Sequence, residues 1–245
     1  MVAPRAHAAT GSEPASQAQH FTPGPILLMG APGAGKGTQS KLLMQAWSVP
    51  QISTGDILRD IQKDPVKSAS PLGQQIRRVM DEGHLMPNEL VEAIVLDRLS
   101  QPDTRRGYIL DGFPRTLPQA VWLDERVGDG HGTLPVVAVS IQVSYTKLLR
   151  RITGRRSCPT CGRIYNIYFS LPEHDTVCDV DGTILVQRPD DTEEVFAERM
   201  RTYEEMTAPV VEHYHGMARF AEVDGDLPVG EITQAIMGAI VRLRG

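Results

Sequence analysis

The stretch PILLMGAPGAGKGT, residues 25–38, decides how the rest of the chain is read. A short apolar run at 25–29 ends at Gly30, and a glycine-rich turn follows before the helical pattern of 39–47. Strand, glycine loop and helix in that order are the context that gives G-x-x-x-x-G-K its meaning, filled here by Gly30, Gly35 and Lys36. Backbone N–H groups of such a turn, with the positive end of the helix behind them, cradle phosphate oxygens, and the lysine adds a point charge. The hydroxyl residue that usually follows the lysine is displaced by one position: Gly37 stands there and Thr38 comes after it. A dinucleotide fingerprint fails in the same stretch, because its third glycine would fall on Thr38. A glycine turn that merely caps a helix is the plainer alternative, and Lys36 behind an apolar strand argues against it.

Outward from this loop, Ser53, Thr54, Gly55 and Asp56 offer capping groups before Ile57, Leu58 and Ile61. Helical patterns follow at 72–80 and 87–99, and apolar runs at 107–110 and 134–141 read as strands, each followed by a helical stretch. From 154 to 191 the texture changes to Gly, Pro, Cys and β-branched residues without helical period, which marks an insert. An amphipathic pattern returns over 193–214, a last strand is predicted at 220–223, and 229–243 closes as a helix. Strands alternating with helices predict an α/β fold of the P-loop NTPase-like kind, a parallel sheet flanked by helices, with ligands beyond the carboxyl ends of the strands.

The composition excludes several classes. The 245 residues are 41% hydrophobic and 22% charged, ordinary globular values. With 25 basic and 30 acidic residues the net charge is −5, against bulk capture of nucleic acid or an anionic membrane. No apolar run approaches the 18 or so residues of a membrane span. Residues 1–23 lack the apolar centre of a secretory signal and are expected to be a disordered tail before a domain at 24–245. Cytoplasmic location and a monomer are expected.

The run GYILDGFPRT at 107–116 places Asp111 at the end of a buried strand, where a carboxylate organises magnesium directly or through water; a turn or capping aspartate is the plainer alternative. Arg115 just beyond it would point into the same crevice. Cys158-x-x-Cys161 and, sixteen residues on, Cys178-x-x-Asp181 have the spacing of a zinc ribbon with aspartate as the last ligand. His174 or Asp179 could take the place of Asp181, and free cysteines in a loop are the bland reading. Four protein ligands leave no open position, so a zinc ion there would be structural, and a segment of about 35 residues gains from such a clip because it builds little core of its own.

GAPGAGKGTQ (30–39), STGDILR (53–59), YILDGFPRT (108–116), GRR (154–156) and RPDD (188–191) occur in one order, and with them the chain from 25 to 245 resembles adenylate kinase of the long, bacterial type with a zinc-binding lid. The resemblance implies reversible transfer of the γ-phosphoryl group of ATP to AMP with magnesium. It also implies a nucleotide-monophosphate-binding insert at 53–86 and a mobile lid at 154–191. By that resemblance Gly33, Ala34, Gly35, Lys36, Gly37 and Thr38 hold the ATP phosphates. Arg151 and Arg155 also serve ATP, with Ile164, Tyr165 and Leu227 beside it. Thr54, Arg59, His84, Leu85 and Met86 fall on AMP-binding positions, as do Gly112, Phe113, Pro114, Arg115 and Gln119. Arg188 and Arg199 are the remaining phosphate-facing arginines, and Asp56 and Asp111 order magnesium through its waters. Lys36, Arg115, Arg155, Arg188, Arg199 and Asp111 would carry the catalysis. Two rival readings are a kinase of another nucleoside monophosphate and a zinc-ribbon nucleic-acid-binding module joined to an ATPase; the net charge and the lack of a basic-aromatic stripe at 158–181 weigh against the latter.

Overall fold

A computed structural model describes residues 21–127 and 134–245. Strand β1 (Gly24–Met29) is buried along its whole length, and its alternate side chains feed two apolar layers. Ile26 and Leu28 pack with Leu43, Ile109, Val137, Val139, Ile236 and Ile240. Leu27 and Met29 point the other way, into a layer with Ile52, Ile76, Val95, Leu110, Leu123 and Tyr214. A strand buried on both faces reads as a continuous apolar run, which is why 25–29 shows no alternation.

The sheet is parallel throughout, in the order β2 (Gln51–Ser53), β3 (Gly107–Asp111), β1, β4 (Val137–Gln142) and β7 (Phe220–Asp224). Helix α1 (Lys36–Trp47) follows β1, and α10 (Val229–Arg244) packs against it. Helices α2 (Thr54–Lys63), α3 (Pro65–Ala69) and α4 (Pro71–Asp81) form a helical segment that leads into α5 (Asn88–Leu99). Side chains of Ser53, Asp64 and Ser70 accept the orphan N–H groups at the starts of α2, α3 and α4, so each helix in this segment has its own stop and start. Helix α6 (Leu117–Asp124) follows β3, and α7 (Tyr145–Thr153) follows β4.

The segment after α7 holds only a two-stranded antiparallel ribbon, β5 (Arg155–Ser157) with β6 (Ile164–Asn166), around Cys158, Tyr165, Cys178 and Leu185. The predicted helix over 193–214 divides into α8 (Glu193–Thr202) and α9 (Ala208–His215), joined by a π turn at Tyr203–Thr207. Strand β2 was not expected, and β4 starts at Val137 rather than at 134. Most of the expected tail, residues 1–20, lies outside the described residues; of its end, Phe21 packs its ring 5.3 Å from that of Trp47 and the Pro23 carbonyl accepts from Arg244 Nε at 2.6 Å. Among the described residues no helix is long and apolar enough to cross a membrane.

Candidate active site

The loop between β1 and α1 lies beyond the carboxyl ends of the strands and uses glycine where a side chain has no room. A Cβ on Gly30 would sit 2.6 Å from the carbonyl oxygen of Ile141, and Gly33 has φ +85° with the Leu148 carbonyl 2.9 Å from where its Cβ would be. Lys36 starts α1 and folds back, its Nζ donating to the carbonyls of Gly30 (2.7 Å) and Ala31 (3.1 Å). Burial lowers its pKa to about 8, with Asp111 opposing that effect and Arg115, Arg199 and Arg155 adding to it. Arg151 ties the loop to the sheet's far strand by donating to the carbonyls of Ala34 (3.1 Å) and Gly225 (2.8 Å). Leu227, half exposed, follows in that same turn.

Asp111 ends β3 beside the helix start: a Cβ on Gly37 would lie 3.4 Å from its Oδ2. The lack of a side chain at 37 therefore leaves the carboxylate in reach of the loop. Gln51 Nε2 donates to the same oxygen at 2.9 Å. Burial raises the Asp111 pKa, Lys36 pulls it back and Asp56 pushes it further up. Asp56 itself lies at the start of α2 and accepts from Arg59 Nη2 at 2.7 Å. Carboxylate oxygens at the mouth of a phosphate loop are the hard ligands magnesium takes, through its waters where it keeps them.

The arginines named from the sequence converge on this cleft, and the structure divides them into two groups. Arg155 donates Nε to Asp191 Oδ2 at 2.8 Å and a second bond to the other oxygen, forming a fork on a wholly buried carboxylate. Arg199 pairs with Asp190 at 3.1 Å, and Arg59 with Asp56. Arg115 instead donates Nε to the Gly112 carbonyl at 2.9 Å, and Arg188 has no ion-pair partner among the described residues. Both are desolvated by burial, which together with neighbouring guanidinium groups brings each pKa to about 10. Six cations (Lys36, Arg59, Arg115, Arg155, Arg188 and Arg199) thus face four carboxylates (Asp56, Asp111, Asp190 and Asp191), a net positive cleft in a net negative chain.

Next to it lies a cavity whose lining includes apolar Leu58, Met86 and Val91 and charged Arg59, Arg115, Arg199 and Asp190. Thr54, His84, Leu85, Gly112 and Gln119 also line it, so most of the positions expected for AMP meet there, while Arg188 is not in its lining. Thr54 Oγ1 donates to the Gly112 carbonyl at 2.9 Å, and Phe113 and Pro114 line the adjoining space with Lys36 and Arg115.

In the 154–191 segment, one ligand atom each from Cys158, Cys161, Cys178 and Asp181 lie within 4.8 Å of one another. Cys161 Sγ is 3.5 Å from Cys178 Sγ, and Cys158 Sγ is 3.3 Å from Asp181 Oδ2. Tetrahedral zinc with thiolates at about 2.3 Å holds its ligand atoms about 3.8 Å apart, so the set fits that ion. Asp179 is turned away, accepting from the Glu173 N–H at 2.8 Å, and neither it nor His174 joins the cluster. Ile164 stands in β6 opposite Ser157. Tyr165 is buried, and its hydroxyl faces Cys178 and the Asp179 N–H. Its ring therefore belongs to the small core of this segment, and only its backbone is left to serve a nucleotide.

Sequence reasoning missed four residues: Gln51 on Asp111, Asn88 on Gln119, and Asp190 and Asp191 on the arginines. The last two stood inside the quoted RPDD, where acids beside an arginine were signal enough for ion pairing; Gln51 and Asn88 gave none.

The adenylate kinase family model matches residues 28–219. Adenylate kinase of Nitrosococcus oceani is 46% identical over 211 residues, covering 86% of this chain and 95% of the relative. Those of Desulforudis audaxviator (42% over 217 residues) and Methanocella arvoryzae (43% over 218) each align with 89% of this chain and 99% of their own length.

Proposed function

Because the chain belongs to the adenylate kinase family, we propose that it reversibly transfers the γ-phosphoryl group of ATP to AMP, giving two ADP. The observation that carries this reading is the cleft in which a phosphate loop faces five arginines, next to a cavity lined by apolar side chains and by three of those arginines. Phosphoryl transfer needs in-line placement of the two nucleotides and cancellation of charge on the equatorial oxygens, with no covalent enzyme intermediate. In this reading the 30–38 loop and Arg151 hold the ATP phosphates, and Lys36, Arg115, Arg155, Arg188 and Arg199 neutralise the group in flight. Asp111, with Asp56, would hold magnesium through water, and that ion supplies further charge neutralisation across the phosphates. The 154–191 segment serves as a lid: Arg155 stands at its start, and closing it assembles the cations and excludes water. The helical segment at 53–86 serves as the monophosphate-binding part. A cytoplasmic monomer is the assembly this reading expects. Measuring ADP formed from ATP with AMP, CMP, UMP and GMP in parallel tests the function. AMP is expected to be the preferred acceptor, and a clear preference for another base would move the chain to the rival kinase reading.

The cysteine cluster is proposed as a structural zinc site, with Asp181 as the fourth ligand. Its chemistry of three thiolates and one carboxylate, all supplied by protein, leaves no position for substrate. Protein purified without chelators is expected to carry about one equivalent of zinc, and strong chelation to lower its melting temperature. Asp181→Ala should release zinc and lower heat resistance more than it changes the rate, while Asp179→Ala should do neither. Absence of zinc by elemental analysis, or equal metal loss in both variants, would overturn the assignment.

A further inference from the structure

Gln119 is the buried amide of the monophosphate cavity, and two of its neighbours use up half of its hydrogen-bonding capacity. Its Oε1 accepts from the Arg115 backbone N–H at 2.8 Å, and its Nε2 donates to Asn88 Oδ1 at 2.9 Å. Asn88 Oδ1 also accepts from Thr116 Oγ1 at 3.1 Å. A backbone N–H can only donate, so Arg115 fixes which end of the Gln119 amide is oxygen, and the other end must then find an acceptor. We propose that Asn88 is a positioning residue for base choice: by accepting from Gln119 Nε2 it adds a second hold to that of the Arg115 N–H, so that both ends of the amide oppose turning over.

The consequence follows from counting what is left over. One lone pair on Oε1 and one N–H on Nε2 remain, side by side, as an acceptor next to a donor. Adenine offers the complement, an N6–H donor beside the N1 acceptor. Hypoxanthine, a purine of nearly the same shape, offers the reverse, an O6 acceptor beside an N1–H donor. A free glutamine would serve either base by turning over. Turning here would set the NH2 group against the Arg115 N–H and the oxygen against Asn88 Oδ1, leaving two pairs of like groups facing each other. The cost of such unpaired buried groups is what lets hydrogen-bonding sites reject a near-isostere strongly. Leu58, Met86 and Val91 line the same cavity as Gln119 and suit the base, while Arg59, Arg115 and Arg199 in that lining suit the phosphate.

The inference rests on reading this cavity as the AMP site. Its test compares AMP with IMP as acceptor for the wild type, Asn88→Leu, Asn88→Ala and Asn88→Asp. Asn88 begins α5, where a carboxylate is well tolerated and keeps the acceptor oxygen. Removing that oxygen is expected to lower the ratio of kcat/KM for AMP over IMP by about 10-fold or more, through a higher KM for AMP with kcat nearly kept. Asn88→Asp should retain the wild-type ratio. An unchanged ratio in both Asn88→Leu and Asn88→Ala, or a loss in Asn88→Asp as large as theirs, would overturn the lock. A wild type that uses IMP as well as AMP would overturn it too, and one that uses neither would instead remove the AMP reading of the cavity. Melting temperatures of all four proteins identify a variant that has lost its fold, and the Leu and Ala variants stand in for one another in that event.

Discussion

Lys36→Met is expected to reduce kcat by about 10³-fold while the melting temperature stays within a few degrees of the wild type. Removing one preorganised positive group from a water-excluded site costs about 10²–10³ in rate, and a charge on the transferring phosphoryl group stands at the upper end of that range. Met fills the lysine stem as far as Cε, and the ammonium it lacks bonds only to two loop carbonyls, Gly30 and Ala31. The same charge gives the wild type a pH limb. Burial brings the Lys36 pKa to about 8, so the ammonium is present below that pH and is lost as the pH rises through it. Since kcat/KM reports ionisations of the free enzyme, its value for ATP should decline above about pH 8. A Lys36→Met enzyme keeping more than a tenth of the wild-type kcat would remove Lys36 from the catalytic set.

Arg188→Ala and Arg115→Ala should each lower kcat by about 10³-fold or more, the range in which a single arginine acts on a phosphoryl group in flight. These two are the informative choices because neither holds a carboxylate in the structure. Removing Arg155 would instead strand the wholly buried Asp191, and breaking a buried pair from one side costs about 3–5 kcal/mol of stability, so loss of rate would be mixed with loss of fold. Lysine should restore little at either position, since a compact ammonium lacks the bidentate fork. Arg77→Ala is the matched control: Arg77 lies exposed on α4 with only Gln62 as partner and should stay within about two-fold of the wild-type rate. A comparable loss in that control would mean that the assigned arginines act through bulk charge and not through position.

How much of this was legible in the sequence depends on how local the signal is. The β1 loop and α1 were legible because three glycines and a lysine bend the backbone over a dozen residues and need no distant partner. The division of α8 from α9 was not, since the amphipathic pattern runs on through Tyr203–Thr207 and the π turn shifts the phase without breaking it. Strand β2 is three residues long, too short to show a period, and is defined by its partner β3. Among site residues, arginines stood out by their motifs, but their roles diverge through acids 3 to 36 positions away in sequence. The lock on Gln119 joins residues 28 and 31 positions apart with side chains whose only sequence cue is that they are polar. Choosing Asp181 over Asp179 required knowing which of two aspartates, two residues apart, a turn directs inward.

The carboxylates of Asp190 and Asp191 make Arg199 and Arg155 ion exchangers loaded with counterions from the chain itself. In the proposed reading a phosphate arriving at Arg155 or Arg199 replaces an anion instead of meeting a bare cation, and the departing carboxylate must be rehydrated or find another donor. In that reading the exchange weakens the hold of these two arginines on every nucleotide alike, products included, and leaves Arg115 and Arg188 as cations with no carboxylate to displace among the described residues.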